Sequence, residues 1–298
     1  MNMGSYFIRH TSKIAVSEDD INKIFDENKI AIHFPGNGAD DSESIEPDDR
    51  IYSKPSDNAA IRCFRKLSQE GGYVWAQYYT KPGKVKIGKV NPQKHEVLFS
   101  RWVKTSNGPK RGIGDIAKLK ALKMENVQEL RVSEVMAMCA ARPRQGTIRE
   151  WHCIKERLKY RVEGIQSPID LDSLIPEQLE AVCAEYLRSG DSKDCPTLEV
   201  LLLPVGRTLQ DVDIYGYAKD KKKIFAQVTN RPVDERTCKQ KTEKLELYQG
   251  AANHLVFFCK CPELKKGKNG ILFVPLSQVF EWLKSNEDYA KAFLEEKN

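Results

Sequence analysis

The rhythm of apolar and polar positions changes partway along the chain. In the first part, short β-branched and aromatic runs recur between Pro, Gly and Asn. They are Ser5 to Arg9, Ile30 to Phe34, Tyr73 to Tyr79, Val85 to Val90 and Glu96 to Val103, and each reads as a strand. Helical spacing of Ile21, Ile24 and Phe25 behind Ser17 predicts a capped helix from Ser17 to Asn28, and a second helix is expected around Ala59 to Leu67. The stretch from Ile116 to Met138 fits neither period. Gly36 to Arg50 is acidic and rich in turn residues, so it reads as a solvated loop. Short strands at this spacing predict a small β-barrel with helices.

A break near Glu163 to Pro168 divides the chain into segments 1–166 and 167–298. The second segment alternates. Pro176 to Ser189 is a helix, and Leu198 to Leu203 a strand. Asp211 to Tyr217 and Lys223 to Thr229 form a hairpin. Asp234 to Tyr248 is a helix, His254 to Cys259 and Ile271 to Pro275 are strands, and Leu276 to Ser285 is a last helix. The order αβββαββα predicts a mixed sheet with helices on its faces, so the fold class combines α/β and α+β.

Length and composition agree with two ordinary domains: 298 residues, 40% hydrophobic and 30% charged. They exclude collagen, mucin and wholesale disorder. No apolar run reaches the roughly 18–20 residues of a membrane helix, and Met1 to Ile8 lacks the pattern of a signal peptide, so a cytoplasmic protein is expected. The net charge of +6 permits a polyanionic partner without requiring one. Eight cysteines, several inside apolar runs, read as reduced core residues. Cys259 and Cys261 are the only close pair, and no second pair completes a zinc site.

Three polar residues stand where a bland core would not put them. Glu180 lies at the edge of the apolar face formed by Leu179, Val182, Cys183, Tyr186 and Leu187. Asp213 shares a strand face with Asp211 and Tyr215. Gln227 ends the apolar run Ile224 to Ala226. Each has an ordinary reading alone: a solvated helical acid, a strand-edge acid, an amide satisfying backbone groups. Together, two carboxylates and an amide oxygen from a hairpin and a helix make a hard oxygen site. Such a site suits Mg²⁺ (or Mn²⁺) and phosphodiester chemistry.

The runs Ile175-Pro176-Glu177-Gln178-Leu179-Glu180, Asp211-Val212-Asp213-Ile214 and Phe225-Ala226-Gln227-Val228-Thr229 resemble the Mrr-like branch of the PD-(D/E)xK restriction endonucleases. The resemblance covers about residues 170–283. It implies Asp213 as the central metal ligand, Glu180 as an auxiliary acid and Gln227 where other branches carry an acid. The family's lysine would fall at position 229, which is Thr229. A neutral hydroxyl cannot supply its charge. A replacement is sought on the next helix, which offers Lys239, Lys241 and Lys244. Lys241 and Lys244 share a face and are the candidates.

The first segment supplies Trp75, Tyr78, Tyr79, Trp102 and Trp151, a basic stretch from Lys104 to Lys123 that includes Lys110 and Arg111, and the run Arg142-Pro143-Arg144. Aromatics stack on bases and cations neutralise phosphates, although strand tryptophans are commonly core and lysine-rich stretches commonly solvated. Ser5 to Ile8, Ile30 to Phe34, Val74 to Gln77, Ile87 to Val90 and Arg142 to Ile148 resemble an EVE or YTH-type PUA-like domain. That resemblance implies a reader of modified bases, with Trp75 and Trp102 as candidate cage aromatics.

The two resemblances imply a metal-dependent DNA endonuclease of restriction type with a role in antiphage defence. They also allow a homodimer in which two sites address two strands. Two rivals stand beside it. One is a nuclease-fold DNA binder that lost activity with the lysine; the other is an RNA-binding or RNA-processing protein.

Overall fold

The computed structural model describes residues 3–34, 43–52, 54–104, 114–139, 142–143, 146–165, 170–202, 211–232, 235–267 and 269–294. The chain divides into two compact units, Met1–Ser167 and Pro168–Asn298.

The first unit contains β1 (Gly4–His10), α1 (Glu18–Asp26), β2 (Lys29–Ile32), α2 (Pro55–Glu70), β3 (Gly72–Tyr78) and β4 (Lys84–Val90). These are followed by β5 (Glu96–Arg101), β6 (Ile116–Lys123), β7 (Glu125–Arg131), α3 (Met136–Cys139), β8 (Ile148–Glu150) and α4 (Lys155–Glu163). Ser17 caps α1 by accepting the Asp20 N–H at 3.0 Å.

The strands form two sheets. One has five strands in the order β7-β4-β3-β1-β8, with β1 and β3 parallel; the other is β2-β6-β5, antiparallel throughout. The expected single barrel is therefore corrected: among the described residues hydrogen bonding closes no barrel. The chain changes sheet between β6 and β7 at Met124, whose side chain is buried and whose N–H donates to the Asn28 carbonyl. That turn directs β7 onto β4 rather than back onto β6.

The two sheets share a core. Tyr6, Ile8, Val74 and Ala76 meet Ile61, Phe64 and Leu67 of α2, Ile21 and Ile24 of α1, and Ile30, Leu119 and Ala121 of the smaller sheet. His10 pins the sheets together. Its Nδ1 lies 3.0 Å from the Gln77 carbonyl, and its Nε2 accepts the Ala31 N–H at 3.0 Å. Its ring stacks on Tyr78 with centroids 4.3 Å apart. With both nitrogens engaged in this way, burial pushes its pKa down to about 4.

The second unit contains α5 (Pro176–Ser189), β9 (Leu198–Leu201), β10 (Ile214–Ala218), β11 (Lys223–Pro232), α6 (Arg236–Glu246) and β12 (Asn253–Lys260). Then come β13 (Lys265–Lys266), β14 (Leu272–Pro275), α7 (Leu276–Ser285) and α8 (Glu287–Leu294). One mixed sheet runs β13-β14-β12-β11-β10-β9, with β11, β12 and β14 parallel. Ala226, Val228, Val256, Phe258 and Val274 face α5, α7 and α8, whereas Phe225, Leu255, Phe257 and Cys259 face α6. Period-two alternation along β11 and β12 thus separates two apolar layers. A Cβ at Gly216 would stand 2.1 Å from the Val200 carbonyl oxygen, so β9 packs this closely on β10 only against glycine. Among the described residues no helix is long and apolar enough to cross a membrane.

Candidate active site

The hairpin β10–β11 sets the geometry. Ile214 pairs with Ala226, so Asp213 sits where the two strands begin to part. The expected strand from Asp211 starts later, at Ile214, yet the Asp213 N–H still donates to the Ala226 carbonyl at 2.9 Å. The Asp213 carboxylate turns back across β11 and accepts the Val228 N–H on Oδ2 at 2.8 Å. Its alternation with Ile214 is therefore replaced by a backbone anchor that holds the acid at the sheet end.

Lysine arrives from α6. Cys238 and Leu245 bury one side of that helix, and Lys241, three residues after Cys238, projects toward β11. Lys241 Nζ donates to Asp213 Oδ2 at 3.1 Å and to the Val228 carbonyl at 2.7 Å. Lys244 goes elsewhere: it pairs with Asp211 Oδ1 at 2.7 Å. The two candidate lysines thus serve different acids, and it is Lys241 that reaches the backbone of Val228, the residue before the buried Thr229.

Gln227 is almost fully buried. Its Nε2 donates to the Asp211 carbonyl, and its Oε1 is buried without a hydrogen-bond partner among the described residues. Orphaned buried acceptors are rare, because each forfeits its solvation.

Glu180, half-buried on α5, has its pKa raised to about 7, first by burial, then by the Asp213 carboxylate and by Glu177, with Lys241 opposing. The neighbouring Cys183 thiol is pushed up by burial, then by the Glu180 and Asp213 carboxylates. Glu180 and Asp213 thus share one electrostatic field.

The donor set fits a hard divalent cation. It offers two carboxylates and an amide oxygen. One carboxyl resists ionisation because it is buried and lies near other acids, and the amide oxygen has no partner among the described residues. Among the described residues no three His, Cys, Asp or Glu side chains form a metal cluster. Nearby, Asp172 accepts from Asn230 at 2.6 Å and from Lys260 at 2.9 Å. That group was missed in the sequence, because nothing in the Cys-Lys-Cys run places Lys260 at the end of β12.

No family model matches the chain, and no curated protein matches it. Among solved structures it is similar to the MspJI restriction endonuclease in complex with a 27-mer oligonucleotide. The identity is 10%, the TM-score is 0.28, and the alignment covers 97% of this chain and 79% of that one. Likeness at that TM-score carries no argument for fold or chemistry.

The aromatic candidates of the first unit are corrected. Trp75 is fully buried on the central strand β3, edge-on to Trp151 with centroids 5.6 Å apart. Trp102 is buried edge-on to His33 at 4.4 Å. Both fill core volume, because layers of packed residues cover their strands on the side they face. Arg142 is exposed, and it lowers the pKa of Arg9 after burial has done so. Lys110, Arg111 and Arg144 lie outside the described residues.

Proposed function

We propose that this chain is a divalent-metal-dependent DNA endonuclease whose second unit hydrolyses phosphodiesters and whose first unit holds DNA. One observation carries the reading: the Asp213 carboxylate, fixed by the Val228 N–H, meets the Lys241 ammonium and acts on the half-buried Glu180 carboxyl from α5.

Asp213, Glu180 and Gln227 Oε1 would hold Mg²⁺ or Mn²⁺. The cation, when bound, supplies an activated water and stabilises charge on the phosphate. The chain's own residues do the rest. The Val228 N–H fixes the Asp213 carboxylate. Glu180, protonated about half the time near pH 7, releases its proton as positive charge enters. Lys241, held by the Val228 carbonyl, offsets negative charge growing on the phosphoryl group, the task Thr229 cannot perform. Asp211 orients the Gln227 amide through its carbonyl.

A second reading has its own support. Lys241 already neutralises Asp213, as it would in a binding module that has stopped cutting. Supercoiled plasmid with Mg²⁺ or Mn²⁺ separates the two. The expected result is nicking that Asp213→Ala reduces by at least about 10³-fold while DNA retention persists. Cutting by purified Asp213→Ala at the wild-type rate removes the assignment. DNA retention with no cutting in either metal favours the binder.

A further inference from the structure

The first unit carries a groove that the nuclease reading does not use. It lies between α2 and the strand β8, holds about 630 Å³, and is lined by Arg62, Cys63, Arg65, Lys66, Arg149 and Glu150 among others. On α2, Arg62, Lys66 and Gln69 recur at helical spacing, so the helix presents one polar, cationic face. The opposite face buries Ile61, Phe64 and Leu67 in the core. β8 ends its sheet, being paired only with β1.

The charges divide into two sets. Lys66 is committed to Glu150 at 3.0 Å, and Arg65 to Glu46. Arg62 and Arg149 are exposed and pair with no described carboxylate. One guanidinium stands on each wall.

A groove with an exposed guanidinium on each wall suits a ligand rich in oxygen acceptors.

We propose that the α2–β8 groove binds the DNA backbone, with Arg62 and Arg149 each contacting a phosphate oxygen across its two walls. This rests on the reading of the first unit as the DNA-holding part. Guanidiniums form paired hydrogen bonds with phosphate oxygens. The ion pairs of Lys66 and Arg65 keep the groove from carrying an unbroken positive field, so the contacts position the backbone more than they attract it.

The test uses the full chain carrying Asp213→Ala, so that cutting does not intervene, and a labelled 20-base-pair duplex in EDTA. Affinity is measured from 50 to 200 mM salt. Arg62→Gln/Arg149→Gln should weaken binding at 100 mM salt by about tenfold or more. It should also reduce the slope of log K against log salt by about 1.8, the signature of two lost phosphate contacts. Arg62→Glu/Arg149→Glu should weaken it further. Lys13→Glu/Lys23→Glu, which shifts net charge as far as that reversal at exposed positions elsewhere, should leave most of the affinity. Unchanged affinity and slope in the Gln pair, with the parent binding normally, overturns the groove assignment alone. No duplex binding by the parent overturns the DNA-holding reading instead. Equal losses in the groove reversal and the Lys13/Lys23 control assign the effect to net charge and also overturn the groove. Melting curves of the Gln pair confirm that the fold is kept, since among the described residues neither guanidinium makes an ion pair to lose.

Discussion

Each unit takes an ionisable side chain at least partly out of water, His10 on a strand and Glu180 on a helix, and the two are treated in opposite ways. His10 has partners for both ring nitrogens and a stacking aromatic, and it stays neutral, its pKa near 4. Glu180 stands half-buried in the field of the Asp213 carboxylate, its pKa near 7. The first arrangement is complete: its hydrogen bonds fix the angle between two sheets. The second leaves one carboxyl held back from ionising by burial and a neighbouring acid, with Lys241 opposing. Completed polar networks hold a fold together, whereas unfinished ones mark places where something else is meant to bind.

The same contrast separates two lysines. Lys86 in the first unit donates to the Phe25 carbonyl at 2.5 Å and to Asn28 Oδ1 at 2.6 Å, and lies 3.9 Å from the centre of the Phe25 ring. It closes the end of α1. Lys241 instead reaches a carboxylate at the candidate site. The largest expected effect follows from this difference. Lys241→Met should slow metal-dependent plasmid nicking by about 10³-fold, about 4 kcal/mol of transition-state stabilisation. Its melting temperature should stay within a few degrees of wild type. Lys86→Met should do the reverse: it should melt early and, while folded, cut normally. Nicking by Lys241→Met within a factor of three of wild type would show that this ammonium is structural, like Lys86.

Next in size is the histidine. His10→Ala strands the Gln77 carbonyl and the Ala31 N–H and opens a cavity, for about 3 kcal/mol of stability at pH 7. The pH dependence gives the sharper check. The pKa is lower in the folded state than in the unfolded one, so the unfolded chain gains a proton first on acidification. Wild-type stability from this group is therefore present above about pH 6.5 and lost as pH falls toward 4. The full loss is about 3 kcal/mol. The gap between wild type and His10→Ala should accordingly be widest at neutral pH and narrow on acidification. Denaturant unfolding followed by tryptophan fluorescence reports mainly on the first unit, because Trp75, Trp102 and Trp151 lie there. A gap that does not change from pH 7 to pH 4.5 would mean that the imidazole is not held neutral.

How much of this was legible in the sequence depended on whether a local period survived its tertiary context. Ser17 and the spacing of Ile21, Ile24 and Phe25 gave α1, and the apolar stripe from Leu179 to Leu187 gave α5, because in both the buried face follows helical geometry. β6 and β7 escaped. Lys120 is buried in β6 and Ala121-Leu122 breaks its alternation, while five of the seven residues from Glu125 to Arg131 (Glu125, Gln128, Glu129, Leu130 and Arg131) are good helix formers. Only pairing with β4, where Lys84 meets Glu129 at 2.6 Å, makes that run a strand. In the candidate site, residue types and order were readable, as was the need for a lysine other than Thr229. Which lysine it would be was not, since Lys241 and Lys244 share a face and only the fold assigns one to Asp213 and the other to Asp211. The tryptophans misled because an aromatic strand residue looks the same in sequence whether it lines a pocket or fills a core.

The smallest effect tests Glu180 by the opposite sign. Its pKa is higher in the folded state, so the carboxyl favours folding most below about pH 4.5, and that contribution disappears as pH rises through about 7. Glu180→Gln keeps the shape and cannot ionise. Without metal, the variant should match wild type near pH 5 and exceed it by about 1 kcal/mol at pH 8, where the wild type carries an uncompensated charge beside Asp213. Hydrogen exchange of α5 amides is the measurement, since it isolates the second unit. Mn²⁺ should reverse the order at pH 8 by protecting the wild type and leaving the variant unchanged. If α5 in the two proteins exchanges alike at pH 8 with and without Mn²⁺, Glu180 is an ordinary half-solvated acid. The second unit would then hold no unfinished site for its hairpin to complete.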